Sequence, residues 1–203
     1  MKIRIMILKD KKKINEIVNI HMQAFPNFFL TFLGKNFLRE LYKGFLEEEN
    51  SNLIIAVNSN NIILGFLAYS RDLSGFYKYL VKKHLISFSF YAMIGFFKKP
   101  KIFFRLVRSL TYSKEAKRDE KYVELSSIGV MPIKKNSGIG SKLIDYLKQI
   151  EFEGYKYIKL ETDAINNIYA NNFYKKNNFV LTNTYLTREG RKMNEYRFNL
   201  MKG

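Results

Sequence analysis

The stretch Val-Glu-Leu-Ser-Ser-Ile-Gly-Val-Met, residues 123–131, runs through Pro132 into Lys-Asn-Ser-Gly-Ile-Gly, residues 135–140. The first part is typical of a buried strand, and Pro132 stops it because proline cannot donate to a central ladder. After the loop, apolar residues recur at helical spacing; they are Leu143, Ile144, Leu147 and Ile150. The sequence therefore predicts a strand, a glycine-rich turn and a helix in direct succession.

The two glycines of this loop, Gly138 and Gly140, predict an anion site. Glycine lets the backbone turn tightly, and the amides of a helix's first turn have no partner within the helix. Because this end of a helix is also its positive end, phosphate is the ligand that the loop suits. A Walker A motif is excluded, because Ser141 and then Lys142 follow Gly140. A dinucleotide fingerprint is excluded as well, because it needs glycine where Leu143 stands.

A second motif lies further along, where residues 167–179 are Asn-Ile-Tyr-Ala-Asn-Asn-Phe-Tyr-Lys-Lys-Asn-Asn-Phe. It resembles the Asn-x-x-Ala-x-x-Phe/Leu-Tyr-x-Lys-x-Gly-Phe segment of the GNAT acetyltransferases, and residues 135–140 resemble their pyrophosphate loop, usually Arg/Gln-x-x-Gly-x-Gly/Ala. Lys135 departs from the usual first residue of that loop. Asn178 replaces the family's final glycine, and Asn is the next most tolerant residue of the left-handed conformation expected there. The resemblance covers about residues 122–181.

The resemblance implies that the chain uses acetyl-CoA as co-substrate and transfers its acetyl group by direct attack of an amine. The absence of cysteine agrees with direct transfer, although a serine route stays open. By the same resemblance, Tyr174 protonates the departing thiolate, which suits a weakly acidic phenol; the alternative is a packed aromatic on its helix. The cofactor-binding residues that the resemblance implies are Ile128, Gly129, Val130, Lys135, Asn136, Ser137, Gly138, Ile139, Gly140, Ser141 and Asn167.

Glu124 is the candidate general base. Its offset from Lys135 resembles that of the strand glutamate in histone-type acetyltransferases. A carboxylate in a half-buried cleft has a pKa closer to neutrality, which improves it as a base. Glu161 is the second choice, with an exposed strand-edge residue as the alternative. Asn167 is expected either to hydrogen-bond the cofactor arm or to cap its own helix, and His21 to lie in the core or the pocket wall.

The remaining patterns complete an α/β fold. Apolar runs bounded by Asn, Gly and Pro predict further strands, at residues 3–8, 53–57, 62–69, 155–162, 179–186 and 193–200. Apolar stripes predict a helix between Asp10, as its cap, and Pro26, and another helix after Gly34. Together with the resemblance, these patterns predict the GNAT fold over residues 1–203 as a single domain. Its central sheet is mixed and mostly antiparallel, flanked by helices, with the cofactor at the splay between the fourth and fifth strands.

Net charge is the unusual bulk property: 35 Lys and Arg against 18 Asp and Glu give a net charge of +17. A positive field would steer an anionic cofactor, and biased codon usage also contributes to the abundance of lysine. Nucleic-acid binding is not expected, because the basic residues are scattered and no nucleic-acid module is recognisable.

The scarcity of cysteine and histidine and the short apolar run at the N-terminus argue against a disulfide-bonded, metal-binding or secreted protein. With no cysteine, and with His21 and His84 as its only histidines, the chain is not expected to hold a disulfide or a metal. The apolar run at the N-terminus stops at the basic residues 9–13, too soon for a signal peptide. The protein is therefore expected in the cytoplasm, where acetyl-CoA is available.

Residues 71–120 exceed what a minimal acetyltransferase needs between its third and fourth strands. This predicted helical insert is rich in aromatic and basic residues, and lysine pairs at 82–83 and 98–99 flank the uncharged run 85–97. The run is shorter than the roughly 20 apolar residues of a membrane span, but the pattern suits an interfacial helix on anionic lipid, so a peripheral membrane location is one interpretation. The other is an insert that packs on the domain, contacts a second subunit or walls the acceptor pocket.

The sequence thus predicts an acetyl-CoA-dependent N-acetyltransferase acting on a primary amine of a small molecule, as a monomer or a homodimer. Family acceptors span amino sugars, antibiotics, polyamines, amino acids and protein amines. The aromatic insert gives a preference for an amino sugar, nucleotide- or lipid-linked. The rival prediction is a basic CoA-binding protein at a membrane surface or another polyanion that performs no chemistry.

Overall fold

The computed structural model describes residues 3–83, 120–187 and 190–200. Within them, strands and helices follow the predicted order, with boundaries that differ by a few residues. The strands are β1 (Arg4–Ile7), β2 (Ser51–Val57), β3 (Ile63–Ser70), β4 (Tyr122–Val130), β5 (Tyr157–Asp163), β6 (Val180–Leu186) and β7 (Lys192–Asn199). The helices are α1 (Ile14–Ala24), α2 (Phe29–Phe32), α3 (Lys35–Glu47), α4 (Leu73–Lys83), α5 (Ile139–Gln149) and α6 (Ile168–Lys176).

The seven strands form one sheet in the order β1-β2-β3-β4-β5-β7-β6. Every neighbouring pair is antiparallel except β4 and β5. These two strands are parallel and pair only from Tyr122 with Tyr157 to Glu124 with Lys159, whereas β4 stays paired with β3 as far as Val130. The sheet therefore opens between the C-terminal halves of β4 and β5, and the predicted mixed, mostly antiparallel sheet with a splay at this point is confirmed.

Helices cover both faces of the sheet. On one face, α1 and α3 bury the predicted apolar stripes against β2 and β3, in a cluster that includes Ile17, Val18, Phe37, Leu38, Leu41, Phe45, Leu53 and Phe66. On the other face, α5 and α6 pack on the centre of the sheet, in a cluster that includes Leu67, Leu125, Leu143, Ile144, Leu147, Ile158, Tyr174 and Tyr196. Both faces are therefore buried over the middle strands, which explains the continuous apolar runs of β2 and β3.

Two local features at the N-terminal end differ from the prediction. Asp10 accepts the amide of Lys12 at 2.9 Å and so caps a 3₁₀ turn, Lys11–Lys13, which leads into α1. The predicted cap is confirmed, although the regular α-helix begins one turn later than expected. The short helix α2 was not predicted, because four residues do not show a helical period. Gly34, with a φ of 91°, precedes α3 as expected.

The connection between β3 and β4 begins with α4, which is anchored on α3. The rings of Phe76 and Phe45 lie 4.2 Å apart, and Lys83 makes a 3.0 Å ion pair with Glu47. One lysine of the predicted lipid-facing pair at 82–83 is thus engaged within the protein itself. Residues 84–119 lie outside the described residues, so the prediction of a helical insert over residues 71–120 remains a prediction beyond α4.

Candidate active site

A large cleft lies where β4 and β5 separate. It encloses about 2120 Å³, well above the roughly 300–1000 Å³ typical of a pocket for one small ligand. Its walls come from both separating strands, the loop before α5, the exposed side of α6, and the end of α1. The cleft therefore has room for two ligands at the same time.

The residues singled out in the sequence for cofactor binding and catalysis all line this cleft. They are Glu124, Ile128, Gly129, Val130, Lys135, Asn136, Ser137, Gly138, Ile139, Gly140, Ser141, Asn167 and Tyr174. Val123 and Leu125 belong to the apolar cluster that contains Tyr174. Because strand residues alternate between faces, Glu124 points to the opposite face. The gap between β4 and β5 thus gives Glu124 and Tyr174 access to one cleft from two sides, and their chemical roles remain predictions.

The loop before α5 uses its two glycines for different purposes. Gly138 has a φ of 78°, a left-handed conformation, and a Cβ atom added to it would meet no atom within 4 Å. Gly140 lies against α6, where an added Cβ would lie 3.0 Å from Cζ of Phe173. The first glycine therefore allows the left-handed backbone conformation and faces open space, while the second allows α5 and α6 to pack closely.

The N-terminal end of α5 has no side-chain cap, because its N-cap residue is Gly138. The amide of Lys142 donates to the carbonyl of Gly138, so the three preceding amides, of residues 139–141, point out of the helix. Leu143, Ile144 and Leu147 are each 0% exposed and hold the helix in place, since each buried side chain of this size contributes about 1.5–3 kcal/mol. The structure therefore presents uncapped amides at a fixed position on the cleft.

Tyr174 is both a packed aromatic and a wall of the cleft. Its side chain is largely buried, with ring centroids 5.4 Å from Phe173, 6.1 Å from Phe179 and 6.0 Å from Tyr196. Burial raises the pKa of Tyr174 well above its usual value, so the hydroxyl stays protonated at neutral pH. No other described residue hydrogen-bonds this hydroxyl, which leaves its proton available to a ligand.

Glu124 is a buried carboxylate with one cationic neighbour. The ammonium of Lys159 lies 3.0 Å from Oε2 of Glu124. Apart from this ion pair, the buried Oε2 has no hydrogen-bond partner among the described residues. Burial raises the pKa of Glu124 to about 7; the Lys159 charge opposes this rise, and the carboxylates of Glu161 and Glu195 add to it. Near neutral pH the side chain can therefore both accept and release a proton.

Lys159 lies between two carboxylates. Its ammonium is 3.0 Å from Oε1 of Glu161 as well as 3.0 Å from Glu124, and 5.0 Å from the centre of the Tyr122 ring. Burial alone would lower the pKa of Lys159, but the two carboxylates outweigh burial and raise the pKa. The pKa values of both Glu124 and Lys159 rise because the two groups have different surroundings. Two negative charges surround Lys159 and together outweigh its burial. Glu124 has one positive neighbour, whose effect is smaller than that of burial and of two nearby negative charges.

Three residues of this polar cluster were not found from the sequence: Lys159, Tyr185 and Glu195. Tyr185 donates to Oε2 of Glu161 at 2.6 Å, and Arg197 donates to the buried Glu195 at 2.8 Å. The alternation in residues 155–162 does indicate that Lys159 and Glu161 share one face of their strand. Which charges they meet depends on pairing with distant strands, and no local pattern encodes that pairing.

His21 lies in both of the places considered for it, the core and the wall of the cleft. It is 1% exposed, and its Nδ1 lies 2.7 Å from the hydroxyl of Tyr42. Burial lowers the pKa of His21 to about 4, so the ring is neutral at physiological pH. This wall of the cleft, which His21 shares with Phe25 and Phe28, therefore adds no positive charge.

Asn167 occupies the N-cap position of α6, but its side chain accepts no amide of the first turn, so the predicted side-chain cap is wrong. Its side chain donates instead to Oγ1 of Thr162 at 2.7 Å, and α6 begins without a side-chain cap. One turn later, Asn171 donates to the carbonyl of Asp163 at 2.9 Å and accepts from Tyr196 at 2.9 Å. These bonds tie the start of α6 to β5 and β7 and fix the helix that carries Tyr174. The predicted contact of Asn167 with the cofactor arm remains a prediction.

Residues 3–83, 120–187 and 190–200 contain neither a membrane-spanning helix nor a cluster of metal ligands. None of the helices in these ranges has the length and apolar character needed to cross a membrane. In the same ranges, no three His, Asp or Glu side chains are grouped as metal ligands. Glu124 and Glu161 are close to each other, but the ammonium of Lys159 lies between them.

Similar folds occur among solved acetyltransferase structures. An N-acetyltransferase from Staphylococcus aureus superposes with a TM-score of 0.61 and 18% identity, covering 99% of this chain and 100% of that chain. A GNAT-family acetyltransferase from Bacillus cereus has a TM-score of 0.60, 15% identity and full coverage of both chains. The ribosomal-protein-S18-alanine N-acetyltransferase from Escherichia coli has a TM-score of 0.60 and 14% identity, covering 100% of this chain and 97% of that chain. These likenesses establish the fold.

Family membership comes from the sequence comparison. No curated protein matches the sequence, but the model of the acetyltransferase (GNAT) family matches residues 14–179. This match includes the glycine loop, the α6 motif, and the strands that form the cleft. The chain therefore belongs to the GNAT family of N-acetyltransferases, enzymes that use acetyl-CoA as their co-substrate.

Proposed function

We propose that the protein transfers the acetyl group of acetyl-CoA to the primary amine of a small molecule, with Glu124 as general base and Tyr174 as general acid. The observation that carries this proposal is that both side chains and the uncapped end of α5 line one cleft. A general base needs an accessible lone pair, and a general acid needs a proton that it retains at neutral pH. Glu124 lines the cleft with a pKa raised to about 7, and Tyr174 keeps its proton at neutral pH, which supports these two roles.

The proposed site for acetyl-CoA is the α5 side of the cleft. The amides of residues 139–141 and the loop 135–138 bind its pyrophosphate, since such amides favour anions. The open space beside Gly138 supports this placement. The backbone of residues 128–130 binds the pantetheine arm, and it is available because β4 has no partner on its β5 side beyond Glu124. Bound there, acetyl-CoA supplies an acetyl thioester at the gap between the strands.

The two side chains account for the protons of the reaction. The acceptor arrives as an ammonium ion, and Glu124 takes one proton from it to give the neutral amine. As the nitrogen bonds to the acetyl carbon and the carbon–sulfur bond breaks, Tyr174 donates its hydroxyl proton to the departing sulfur. The nitrogen loses its second proton as the amide forms, and this proton returns to Tyr174. Glu124 releases its own proton to solvent, so one proton is released in each turnover.

The charge of the cleft supports a cationic acceptor. On the face that carries Glu124, three carboxylates stand near two cations: Glu124, Glu161 and Glu195 near Lys159 and Arg197. With Glu124 ionised, this cluster has an excess of one negative charge. In a chain of net charge +17, a locally negative cluster favours binding of an ammonium group over a neutral or anionic group. The proposal is therefore N-acetylation. An amino sugar remains the preferred acceptor from the sequence, and no contact of the described residues selects it over other amines.

The test is thiol release from acetyl-CoA with a panel of amines, comprising amino sugars, polyamines, amino acids and peptide N-termini, with the product bond identified by mass spectrometry. We expect turnover with at least one amine and strong loss of turnover in Glu124→Gln and in Tyr174→Phe. Glu153→Gln and Tyr155→Phe are matched controls outside the cleft and should keep the wild-type rate. Tight acetyl-CoA binding without thiol release for any amine would favour the rival function, a CoA-binding protein that performs no chemistry.

A further inference from the structure

The ion pair between Glu124 and Lys159 occupies a defined point of the sheet. These two residues are the last that β4 and β5 pair in register, after Tyr122 with Tyr157 and Val123 with Ile158. Beyond them, the strands diverge and form the cleft. The 3.0 Å contact from Nζ to Oε2 therefore lies at the fork, where the catalytic gap begins.

Lys159 is unusually buried for a lysine. Its side chain is 9% exposed, the same fraction as that of Glu124, and it is the only lysine that the fold buries to this degree within the described ranges. An ammonium removed from water is destabilising unless counter-charges compensate for it. Glu124 and Glu161 provide that compensation, each at 3.0 Å. The arrangement holds the ammonium at a fixed position beside Glu124.

Every other charged or titratable group facing Glu124 is neutral, negative or engaged elsewhere. From β5 and β7, Glu161 and Glu195 add negative charge. Arg197 of β7 donates to Glu195, and Tyr185 of β6 donates to Glu161. The phenol of Tyr77 on α4 and that of Tyr122 on β4 carry no charge at neutral pH. Among the described residues, Lys159 is thus the one cation in contact with Glu124.

We propose that Lys159 is a positioning residue that keeps the Glu124 carboxylate ionised and aimed at the fork, so that it can take the acceptor's proton. This inference rests on the proposed role of Glu124 as base. Without the ammonium, burial and two neighbouring carboxylates would favour the protonated form of Glu124. A protonated carboxyl has no free charge with which to accept a proton from an ammonium ion. Lys159 would thereby determine the lowest pH at which the enzyme works.

The experiment compares Lys159→Met and Lys159→Arg with the matched control Lys148→Met, which removes a partly buried lysine outside the cleft. The first readout is the pH profile of kcat/KM. We expect Lys159→Met to move the acid limb upward by about one pH unit or more, in line with the effect of a close opposite charge. Lys159→Arg should keep the acid limb close to its wild-type position, and Lys148→Met should not move it. The Kd for acetyl-CoA should stay within about twofold in all three variants.

The second readout does not depend on activity or on the folding of Lys159→Met. In the wild-type protein, the side-chain nitrogen resonance of Lys159 should titrate together with the carboxyl carbon of Glu124, and Glu124→Gln should remove that step. An unmoved acid limb in folded Lys159→Met would overturn the inference, as would a Lys159 resonance that ignores the Glu124 titration. A purely structural lysine would lower stability in Lys159→Met and leave the acid limb of the pH profile unchanged.

Failure of this inference is distinguishable from failure of the proposed function. If Glu124→Gln keeps wild-type turnover at every pH, Glu124 is not the base, and the proposed function and the inference both fall. If Glu124→Gln is inactive while Lys159→Met keeps the wild-type acid limb, the proposed base stands and only the role of Lys159 is overturned.

Discussion

Gly140 of α5 faces the ring of Phe173 of α6 so closely that a Cβ atom placed on it would lie 3.0 Å from Cζ. Gly140→Ala should therefore lower the free energy of unfolding by about 1 kcal/mol, because shifting the ring to admit the methyl group opposes folding by more than the helix propensity of alanine favours it. Phe173→Leu in the same chain should recover most of that loss. Denaturant unfolding of both single variants and the double variant gives the coupling energy between the two sites. Strictly additive effects would show that the two residues do not limit each other.

Gly138 offers a direct test of the proposed pyrophosphate site. Gly138→Val should raise the Kd for acetyl-CoA about tenfold or more, equivalent to about 1.4 kcal/mol, because a side chain would enter the open space beside the loop. The measurement is isothermal titration calorimetry with acetyl-CoA.

The matched control for this change is Gly154→Val. Gly154 has a φ of 76°, close to the 78° of Gly138, and it also faces open space, but it does not line the cleft. Both variants should lose similar stability from backbone strain, and only Gly138→Val should lose affinity. Equal affinity in the two variants would remove the loop from the cofactor site.

Tyr174→Phe should reduce kcat roughly a hundredfold or more, the usual contribution of a general acid, and leave the Kd for acetyl-CoA nearly unchanged. The reason is that the substitution removes the proton donor while the ring keeps its packing against Phe173 and Phe179. Steady-state kinetics with saturating acceptor measures this effect. Tyr155→Phe, which deletes a hydroxyl outside the cleft, is the control. Wild-type turnover in Tyr174→Phe, with chemistry limiting the rate, would leave Tyr174 as a packing residue.

The buried carboxylate predicts a pH dependence of activity. Because burial raises the pKa of Glu124 to about 7, kcat/KM should rise with pH through that value as the carboxylate forms. Glu124→Gln should be slow at all pH values and lack this limb. Activity that is flat between about pH 5 and 8 would exclude a base of this kind.

Stability should show the opposite trend from the same group. The folded protein binds the Glu124 proton more tightly than the unfolded chain, since the pKa moves from 4.5 to about 7 on folding. The associated stabilisation is complete below pH 4.5 and is lost as the pH rises through about 7. Glu124→Gln should lack this decline in the free energy of unfolding. Thermal unfolding of both proteins across this range checks the sign, and parallel curves would contradict it.

The membrane interpretation of residues 71–120 is testable by co-sedimentation with anionic vesicles at low salt. Binding should weaken as salt rises, because the attraction is electrostatic. Changing Lys82, Lys83, Lys98 and Lys99 together to Gln should abolish it, since each basic residue near such a surface contributes about 1 kcal/mol. The charge-matched control changes the exposed residues Lys9, Lys12, Lys35 and Lys175. No binding by the wild-type protein would leave a subunit contact or an acceptor-pocket wall as the role of this segment.

The order of the elements could be predicted from the sequence because each has a local pattern. The helix α5 shows its stripe in Leu143, Ile144 and Leu147, and Asn178 takes the left-handed conformation expected at the end of α6, with a φ of 62°. These features depend on neighbours a few residues apart along the chain. Local sequence is therefore sufficient for the strands, the main helices and the glycine loop.

The electrostatic half of the site could not be predicted in this way. Glu124 was found by its distance along the chain from the loop, but its partner Lys159 depends on the register between β4 and β5. The positions of Glu195 and Tyr185 depend in turn on pairing across β7 and β6. Contacts that depend on pairing between distant strands leave no local pattern in the sequence. The charges that surround Glu124 are therefore known only from the assembled sheet.

The long connection between β3 and β4 also bears on how the chain folds. Ser70 and Glu124 pair across it, so this antiparallel contact closes a loop of roughly fifty residues instead of a tight turn. Because the entropy of loop closure grows only with the logarithm of length, a tenfold longer loop opposes folding by about 2 kcal/mol. The burial of Phe76 and Leu80 of α4 is of the size needed to offset this. The length of this segment can therefore vary in evolution with little change in the free energy of unfolding. The main effect of a longer segment would be slower folding of the central sheet.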